Sequence, residues 1–385
     1  MYPDTRLLLD VSRMVWRRWR GQHPTGVDRA CLAYAQHYRS RALAVVQRGG
    51  FTRVLDRERS MRLFDALIEH QADFARRVMP PLLQAFASRA PAGGYHGAIY
   101  LNVGHTGLDL PGHARWVRSS GARAVYYIHD LIPITHPQYC RAGEGERHAS
   151  RIHAALKLAR GITTNSADSA VALAEFASAE HLPLPPVLVA QLGLSVRPLR
   201  SSEPPIAQPY FLMIGTIEGR KNYALVLEAL RLLVKRMGPA APKLVLIGAR
   251  GWAAEDVFAV LDNDARLRPF IIERGQCGDD ELLAWLTHAR ALLFPSFVEG
   301  QGLPVAEALA LGTPVIASDL PVFRETAGEL PAYLSPHDPA AWADLMARYV
   351  PLDSPERAAR CAHLVGYAPP SWDDHFARLE AWVGG

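Results

Sequence analysis

Two successive series of short apolar β-type runs that alternate with helical stretches are the feature that most limits how this chain can fold. Such alternation is typical of a parallel sheet covered by helices. Residues 193–209 interrupt it with Pro, Ser and Arg, the composition of a linker. Because one hydrophobic core rarely serves 385 residues, two domains are expected. The sequence therefore predicts an α/β protein with two Rossmann-like βα domains facing across a cleft, residues 1–200 and residues 206–365.

The elements within each series are placed by their apolar periodicity. The predicted strands are Leu7–Val11, Ala42–Gln47, Gly97–Asn102, Ala122–Ile128, Gly161–Thr164, Pro186–Ala190, Tyr210–Ile214, Lys243–Ile247, Phe270–Glu273, Ala291–Phe294 and Val315–Ser318. The predicted helices are Val27–Tyr38, Ser60–Ala87, His148–Ala159, Ser169–Ala177, Tyr223–Arg236, Asp279–Thr287, Val305–Ala310, Ala340–Arg348 and Trp372–Trp382. Open α/β sheets bind ligands beyond the carboxyl ends of their strands, so the loops that follow strands are where a site is expected.

The net charge of +4 conceals an asymmetry between the two halves. Residues 1–200 hold 26 Lys and Arg against 15 Asp and Glu, whereas the remaining 185 residues hold 16 against 23. A basic half indicates an anionic partner such as a phospholipid surface or a lipid diphosphate, and a solvated arginine-rich face is the alternative. The run Trp16–Arg20 has side chains that suit a headgroup layer, although a loop folded on its own domain explains it equally well. No zinc finger or RNA-binding aromatic signature is present in the sequence, so nucleic acid is not an expected partner.

The sequence also bears on where the protein is located. No apolar run reaches the roughly 20 residues needed to cross a bilayer. The first ten residues lack the basic region, apolar stretch and cleavage site of a signal peptide. Four cysteines lie far apart with no pair at metal-binding spacing, which favours free thiols in a reducing compartment. We therefore expect a cytoplasmic protein, with the inner membrane face as an additional, peripheral location.

A Gly-rich loop joins the predicted strand Ala291–Phe294 to the helix that follows it. Gly300 and Gly302 allow unusual dihedral angles and let backbone N–H groups approach a ligand closely. N–H groups at a helix start suit a diphosphate. Glu307 lies about one turn into the helix, where its carboxylate could accept hydrogen bonds from ribose hydroxyls. A Gly-rich turn with two solvated carboxylates, Glu299 and Glu307, is the simpler alternative.

The segment Gly215–Asn222 also follows a strand and opens a helix, with Asn222 as the expected N-cap. Arg220 and Lys221 stand at this helix start, where cations interact unfavourably with the helix dipole. A bound anion would resolve that misfit, and a cation pair can neutralise the charge of a diphosphate. The segment is therefore predicted to bind phosphate.

Loops of the first half contribute further polar residues. The stretch Tyr126–Pro133 ends an apolar strand with His129 and Asp130. A histidine satisfied within the core is the alternative reading of His129. Three other loops next to predicted elements are His23–Arg29, Asn102–Asp109 and Thr163–Ser166.

In its second half the sequence resembles the family-4 retaining glycosyltransferases of the GT-B fold. Their signature is two glutamates separated by seven residues with a Gly-rich loop between them, followed by Glu-Ala-x-Ala-x-Gly-x-Pro-Val. The matching residues are Glu299, Glu307, Ala308, Ala310, Gly312, Pro314 and Val315. The resemblance covers both halves and is most specific between residues 210 and 327. It implies a GT-B fold in which a C-terminal helix, residues 371–383, packs back on the first domain.

The resemblance implies roles for residues that bind the donor. Glu299 would contact the donor sugar near the reacting carbon, and Glu307 would hold the ribose. Many family members have Arg directly after the glycine of the first loop, where this chain has Thr216, so Arg220 would supply the second charge beside Lys221. Gln301 stands where the family often has Phe, so the fit around the sugar is expected to differ from that of such members. The residues assigned to the donor diphosphate are Arg220, Lys221, Gly26, Gly300, Gln301, Gly302 and Leu303.

The resemblance also assigns residues of the first half. His129 would reach the donor sugar from the domain opposite Glu299, with Asp130 orienting its loop or binding the acceptor, so His129, Glu299 and Asp130 form the predicted catalytic set. Gly26 matches a Thr-Gly-Ile-x-Arg stretch of polysaccharide-assembly members, in which the Gly turn faces the diphosphate and the acceptor. The residues predicted to contact the acceptor or line its side of the cleft are His105, Asp109, Asn165 and Ser166.

The function implied by the resemblance is retaining, metal-independent transfer of a hexose from a nucleotide diphosphate sugar, with mannose or rhamnose favoured. The acceptor would be a saccharide or a lipid-linked molecule in the synthesis of a surface polysaccharide such as lipopolysaccharide. No Asp-x-Asp motif is present, so no metal and no cofactor are expected, and the nucleotide sugar is a substrate. A nucleotide-sugar 2-epimerase shares the architecture but lacks the Glu299-to-Glu307 loop in this form. A catalytically silent sugar-binding protein of the same fold is the third alternative.

Overall fold

The computed structural model describes residues 7–22, 25–69, 74–87, 94–194, 203–275 and 277–384. Its strands are β1 (Leu7–Asp10), β2 (Ala42–Arg48), β3 (Phe51–Val54), β4 (Ile99–Asn102), β5 (Arg123–Ile128), β6 (Gly161–Thr164), β7 (Val187–Val189), β8 (Tyr210–Ile214), β9 (Lys243–Ile247), β10 (Ile271–Arg274), β11 (Leu292–Phe294), β12 (Val315–Ser318) and β13 (Ala332–Leu334). Its α-helices are α1 (Ser12–Trp19), α2 (Gly26–Tyr38), α3 (Arg57–Ile68), α4 (Phe74–Ala87), α5 (Pro111–Ser120), α6 (Ile132–Thr135), α7 (Glu144–Leu158), α8 (Ala167–Ala179), α9 (Tyr223–Met237), α10 (Glu255–Asn263), α11 (Asp279–His288), α12 (Leu303–Ala310), α13 (Pro321–Ala327), α14 (Pro339–Tyr349), α15 (Pro355–His363) and α16 (Trp372–Gly384).

These elements form two compact units. Unit 1 comprises Met1–Ile134, Gly145–Leu192 and Trp372–Gly385. Unit 2 comprises Thr135–Glu144 and Gly193–Ser371. Of the linker predicted at residues 193–209, residues 195–202 lie outside the described residues.

The sheet of unit 1 has the strand order β3-β2-β1-β4-β5-β6-β7 among the described residues. Every neighbouring pair is parallel except β2 and β3, which form an antiparallel hairpin. The order reverses between β1 and β4, and such a switch point opens a crevice beyond the carboxyl ends of the strands. Asp10 and Asn102 end these two strands, and both are buried. The unit therefore presents polar side chains where a doubly wound sheet binds ligands.

The C-terminal helix α16 packs on α2 within unit 1. The ring of Phe376 stacks on that of His37 with centroids 3.8 Å apart, and the Tyr34 hydroxyl lies 2.7 Å from Nε2 of His375. Nδ1 of His375 lies 2.9 Å from the carbonyl oxygen of Gln191. Apolar and polar contacts together hold the end of the chain on the first unit.

The sheet of unit 2 has the order β10-β9-β8-β11-β12-β13 among the described residues, with every neighbouring pair parallel. Successive residues of β8 show why it needs helices on both faces. Phe211 and Met213 pack in one hydrophobic cluster, and Tyr210 and Leu212 pack in the other. This alternation follows from the two-residue period of a strand in a sheet that is covered on both sides. Both units are thus α/β layers built on a parallel sheet, as the sequence predicts, with one antiparallel edge strand, β3, in unit 1.

Some elements differ from the sequence-based prediction. The prediction of one uninterrupted helix over Ser60–Ala87 is wrong, because α3 ends at Ile68 with Glu69 as its C-cap and α4 begins at Phe74. The elements that the apolar pattern did not predict are α1, α5, α6, α10, α13, α15, β3 and β13. They are short or lie at the edges of the two layers, where apolar periodicity gives a weak signal.

Candidate functional site

Two neighbouring strands of unit 2 bring their loops together. β8 and β11 are adjacent in the sheet, so the loops after Ile214 and Phe294 leave the same edge side by side. The amide of Phe297 donates to the carbonyl of Arg220 over 2.8 Å. Asn222 precedes α9 with a left-handed φ of 55°, and its side-chain amide donates to the carbonyl of Pro295 over 3.2 Å. Backbone and side-chain hydrogen bonds therefore fix one loop against the other.

A buried ion cluster lies where these loops meet. The carboxylate of Glu299 forms an ion pair with Lys221 through Oε1 and with Arg220 through Oε2, the latter over 2.6 Å. The hydroxyl of Ser296 donates to Oε1 of Glu299 over 2.8 Å. On its other side Arg220 pairs with Glu218 over 2.6 Å. Three residues predicted to contact the donor, Arg220, Lys221 and Glu299, are thus in direct contact with each other.

Burial and neighbouring charges shift the pKa values of the two glutamates of this cluster in opposite directions. Burial alone would raise the pKa of Glu299, but the adjacent charges of Arg220 and Lys221 lower that pKa to about 2. Burial raises the pKa of Glu218, and the charge of Arg220 partly opposes it. The ammonium of Lys221 also lies over the ring of Phe294, 4.3 Å from its centroid, which is a cation–π contact. Glu299 is consequently ionised at neutral pH.

The Gly-rich loop leads from this cluster into α12. Gly302 has a left-handed φ of 80°, and a Cβ atom there would lie 2.6 Å from the ring of Phe323, so glycine is required on both counts. Helix α12 then begins with Leu303, and Pro304 occupies its first turn. The backbone carbonyl of Gln301 accepts a hydrogen bond from Thr326 over 3.1 Å, which holds the loop beside α13. Gly300 lies between the ion cluster and the start of this helix.

Glu307 is half-buried on α12 and follows Glu299 by eight positions in the sequence. Leu303 is the first residue of this helix, and Glu307 lies about one turn further along it. No role is tested by this placement, so the ribose contact of Glu307 stays a prediction.

Three histidines lie close together in unit 1: His105 after β4, His129 after β5 and His148 on α7. The ring centroid of His105 is 5.2 Å from that of His129 and 5.7 Å from that of His148. Nε2 of His129 lies 2.8 Å from the carbonyl oxygen of Val103. A carbonyl can only accept, so Nε2 bears the proton and Nδ1 is an acceptor in the neutral ring. Burial lowers the pKa of His129 to about 4, so the ring is neutral at physiological pH.

His105 is held in an uncommon conformation within this cluster. Its φ is 56°, and its Nε2 lies 2.6 Å from the carbonyl oxygen of Tyr127. Non-glycine residues adopt a left-handed φ only where the surrounding structure compensates, and such positions occur often at functional sites. Burial lowers the pKa of His105 well below its usual value, and the neighbouring histidines add to this effect. His105 and His129 are therefore two neutral, ordered rings in contact.

The remaining predicted residues of unit 1 have partners within the unit. A carboxylate oxygen of Asp130 accepts a hydrogen bond from the Ile132 amide over 3.1 Å at the start of α6. The carboxylate of Asp109 pairs with Arg147 over 3.4 Å. Asn165 and Ser166 are buried, and both hydrogen-bond to the hydroxyl of Ser169, whose own contact at 3.3 Å is the carbonyl of His129. The Asn165–Ser166 turn thus supports the backbone of His129.

Gly26 is the first residue of α2. Thr25 and Asp28 form a capping box around it, in which the Thr25 amide donates to the Asp28 carboxylate over 2.8 Å. The same carboxylate pairs with Arg13 over 2.7 Å and with Arg17 over 2.9 Å. His23 and Pro24 of the predicted loop lie outside the described residues. The Gly26 turn is therefore fixed by α1 as well as by its own helix.

Several residues of these clusters were not predicted from the sequence. Ser296 stands three residues before Glu299 in the same loop, Glu218 two residues before Arg220, and His148 at the start of a predicted helix. Serine, glutamate and histidine are common in loops and at helix starts, so their residue types alone do not mark them. Only their position near the carboxyl ends of neighbouring strands could have indicated them. Among the described residues no group of three or more His, Cys, Asp or Glu is placed to hold a metal ion.

Comparison with known proteins identifies the second half of the chain. Residues 199–363 match the family described as Glycosyl transferases group 1. This chain contains a group 1 glycosyltransferase domain. The group 1 domain includes every residue of the buried ion cluster and the loop up to Glu307.

Relatives and solved structures extend this finding. The O-antigen chain mannosyltransferase B of Escherichia coli is 28% identical over 266 residues, 66% of this chain and 68% of that protein. The serotype-specific mannosyltransferase WbdA of Escherichia coli is 29% identical over 241 residues, 58% of this chain but only 29% of WbdA. The Anabaena protein Alr3699/HepE, crystallised with UDP and glucose, superposes with a TM-score of 0.68 at 15% identity and covers 99% of this chain and 100% of its own. The last likeness shows the GT-B fold.

Across the ranges that the structure describes, no helix is both long and apolar enough to cross a membrane.

Proposed function

We propose that this protein is a retaining, metal-independent glycosyltransferase that moves a hexose from a nucleotide diphosphate sugar to a saccharide or lipid-linked acceptor in the synthesis of a surface polysaccharide. The observation that supports this most is the buried cluster of Arg220, Lys221 and Glu299 at the carboxyl ends of β8 and β11. Relatives named as O-antigen mannosyltransferases favour mannose as the sugar and a surface polysaccharide as the product.

The cations of the cluster are suited to a diphosphate. Arg220 and Lys221 present two positive charges in a site with little water, where electrostatic attraction is stronger than in solution. The backbone N–H groups of Gly302 and Leu303 at the start of α12 add further donors. When the donor binds, its diphosphate forms ion pairs with both cations. Glu299 is then held less tightly by them and contacts the sugar. Metal independence follows in this proposal because the two side chains supply the charge that a divalent cation supplies elsewhere.

The reaction proposed is a substitution at the anomeric carbon. The bond from that carbon to the diphosphate oxygen breaks, and a bond to the acceptor hydroxyl oxygen forms on the same face, so the anomeric configuration is retained. The proton of the acceptor hydroxyl passes to an oxygen of the departing diphosphate. Arg220 and Lys221 stabilise the negative charge that develops on the leaving group.

His129 has a positioning part in this proposal. Its ring is neutral and its Nε2–H is directed to the carbonyl of Val103, so Nδ1 can accept a hydrogen bond from a sugar hydroxyl. His129 therefore orients the sugar and does not transfer a proton. Gly26 is proposed to face the diphosphate and the acceptor. Asp130, His105 and Asp109 are proposed to lie on the acceptor side, with Asn165 and Ser166 supporting the His129 backbone.

A membrane surface is the proposed location of a lipid-linked acceptor. Arg17 pairs with Asp28, and Arg18 donates to the carbonyl of Leu67, so both arginines make contacts within unit 1. Trp19 and Arg20 are exposed beside them, with 44% of the Trp19 surface accessible. Binding to vesicles should therefore require anionic lipid, fall with salt, and weaken in a Trp19→Ser, Arg20→Glu variant. Equal binding to neutral and anionic vesicles would contradict this location.

A donor panel tests the proposed function. Binding of GDP-, UDP- and dTDP-sugars is measured first, and release of nucleoside diphosphate is then followed with and without saccharide acceptors. A transferase releases the diphosphate in an acceptor-dependent manner, in the presence of a chelator, and its product retains the anomeric configuration of the donor by NMR. Conversion of the donor to its 2-epimer without an acceptor would indicate an epimerase, and binding without turnover would indicate a silent sugar-binding protein.

A further inference from the structure

One short segment belongs to a different unit from the helices around it. Residues Thr135–Glu144 follow the loop of His129 and Asp130 and precede most of α7, which are parts of unit 1, yet the segment itself belongs to unit 2. It contains a single 3-10 turn, Pro137–Tyr139. No motif of the sequence pointed to it.

Tyr139 makes the closest contacts of this segment with unit 2. Its ring stacks on that of Phe297 with centroids 5.5 Å apart and planes 3° from parallel. A Cβ atom on Gly219 would lie 3.3 Å from Cδ1 of Tyr139 and 2.5 Å from the carbonyl oxygen of Ala253. The ring thus fits between Phe297 and a stretch of backbone that has no room for a side chain.

The backbone of the segment is anchored as well. The indole N–H of Trp252 donates to the carbonyl of Tyr139 over 2.9 Å, and the guanidinium of Arg141 lies 4.6 Å from the centroid of the Trp252 ring. The ring of His136 is nearly parallel to that of Tyr139 at 6.3 Å. These contacts fix both the backbone and the ring plane of Tyr139.

The two surfaces that Tyr139 contacts belong to the two loops of the ion cluster. Gly219 directly precedes Arg220, and Phe297 lies two residues before Glu299. The loops are also joined by the ion pairs themselves and by hydrogen bonds of Arg220 and Asn222 to the loop after β11. A diphosphate that binds Arg220 and Lys221 competes with Glu299 for them, so those ion pairs must rearrange. The contact between the two aromatic rings has no charge and is unaffected by that rearrangement.

We infer that Tyr139 is a positioning residue for the donor site, which holds the loop of Arg220 and Lys221 at a fixed separation from the loop of Glu299. The inference rests on the proposed function, because it assigns the diphosphate to that cluster. Tyr139 itself contributes only a ring, so its effect on the substrate is indirect. Its removal lets the two loops separate once the diphosphate loosens their ion pairs.

The test compares Tyr139→Leu with Tyr139→Phe, which keeps the stacked ring. The affinities for GDP, UDP and dTDP are measured by calorimetry, and the donor and acceptor KM values and kcat are measured with the best donor. Tyr139→Leu should weaken nucleoside diphosphate binding by about tenfold and lower kcat, since small displacements of catalytic groups have large effects. Its acceptor KM should not change, and Tyr139→Phe should match the wild type within about twofold, because the ring alone is required.

Two further variants complete the design. Trp252→Phe removes the hydrogen bond to the Tyr139 carbonyl and keeps an aromatic ring, so it should show a smaller loss of the same kind and serves if Tyr139→Leu does not fold. Tyr333→Leu, a half-buried tyrosine of unit 2 outside both loops, is the matched control and should bind nucleoside diphosphate as the wild type does.

The outcomes separate the inference from the function on which it rests. Unchanged diphosphate affinity in Tyr139→Leu, or equal losses in Tyr139→Phe and Tyr139→Leu, would overturn the positioning role while the function stands. A wild-type protein that binds none of the three nucleoside diphosphates would overturn the proposed function instead.

Discussion

The surroundings of Glu299 indicate a role in ligand binding more clearly than a role in stability. A carboxylate that is almost fully buried between two cations is seldom the most stabilising choice, because apolar residues of similar volume often do as well. The cluster at the ends of β8 and β11 is therefore better explained by binding of a charged ligand than by folding. Its pKa of about 2 shows how strongly the ionised form is favoured in the folded protein.

A pH series tests this view of Glu299. Its pKa is about 2 in the folded protein against an ordinary 4.5, so its stabilising effect is complete above pH 4.5 and is lost as pH falls towards 2. Glu299→Gln should be less stable at neutral pH, because Arg220 and Lys221 lose a partner, but its free energy of unfolding should depend less on pH below 4.5. Chemical denaturation at successive pH values measures both slopes. Identical slopes would contradict the assigned pKa.

Kinetics can distinguish the diphosphate contact from the ribose contact. Lys221→Ala should lower both donor affinity and kcat, because its charge acts on the bound donor and on the leaving group. Glu307→Gln should weaken donor binding by on the order of 1.5–3 kcal/mol with a smaller effect on kcat, since the ribose does not react. Donor KM, kcat and diphosphate affinity are measured for both. A Glu307→Gln variant with normal donor affinity and a large fall in kcat would contradict the ribose role.

The sequence predicted the charged members of the site better than their supports. Glu299, Arg220 and Lys221 follow predicted strands in motif-like loops, and the structure places them in contact. Tyr139 could not be predicted, because its partner Phe297 is 158 positions away and no periodicity links them. A residue that acts through packing leaves little trace in a single sequence.

At the scale of elements, the strands that position the site were predicted most closely. The predicted bounds of β6, β8, β9 and β12 agree with the structure, because buried parallel strands are short continuous apolar runs. Helix α1 was missed because its arginines obscure an apolar face of Met14 and Val15. Charged residues on one side of a short helix lower the apolar signal that a window detects.

The start of α2 provides a prediction at this scale. Asp28 is 8% exposed, caps the helix and pairs with two arginines of α1, so Asp28→Ala should destabilise unit 1 by about 3 kcal/mol. Asp56 caps α3 at the surface, where its ion pair with Arg59 is exposed and contributes little, and it is the matched control: Asp56→Ala should cost about 1 kcal/mol. Thermal and chemical unfolding measure both. Equal costs would show that the Asp28 ion pairs add nothing to the cap.

At the scale of the whole molecule, the chain passes between the two units at several points. Unit 1 gains the C-terminal helix, and unit 2 gains the segment Thr135–Glu144. The sequence predicted two parallel α/β domains because each series of strands and helices is nearly continuous. It did not predict the exchanged segment, which is too short to show a pattern of its own.

Buried histidines predict that the two units differ in acid stability. Among the described residues, the histidines with a lowered pKa all belong to unit 1: His105, His113, His129 and His375. Burial lowers the pKa of His113, His129 and His375 to about 4 from an ordinary 6.5, so the unfolded state binds more protons between these values. Stability is thus lost as pH falls from 6.5 towards 4, with a slope of up to about 1.4 kcal/mol per pH unit for each group.

Hydrogen exchange checks this expectation across the chain. Amides of unit 1 should lose protection between about pH 6.5 and pH 4.5 before those of unit 2 do. His113 has no role in the proposed reaction, and His113→Gln should reduce the dependence of the stability of unit 1 on pH. Simultaneous loss of protection in both units, or an unchanged slope in the variant, would contradict the account.

Acceptor-dependent sugar transfer, measured in wild type, His129→Ala and Glu299→Gln, tests the central claim most directly. With the donor that binds best, the wild type should release one nucleoside diphosphate for each glycosidic bond formed, and the product should keep the donor's anomeric configuration. Each variant should lose roughly 10²-fold or more in turnover, as groups at a reacting centre do. Full turnover in either single variant, or diphosphate release without a glycosidic product, would contradict the proposed transfer and the roles proposed for these residues.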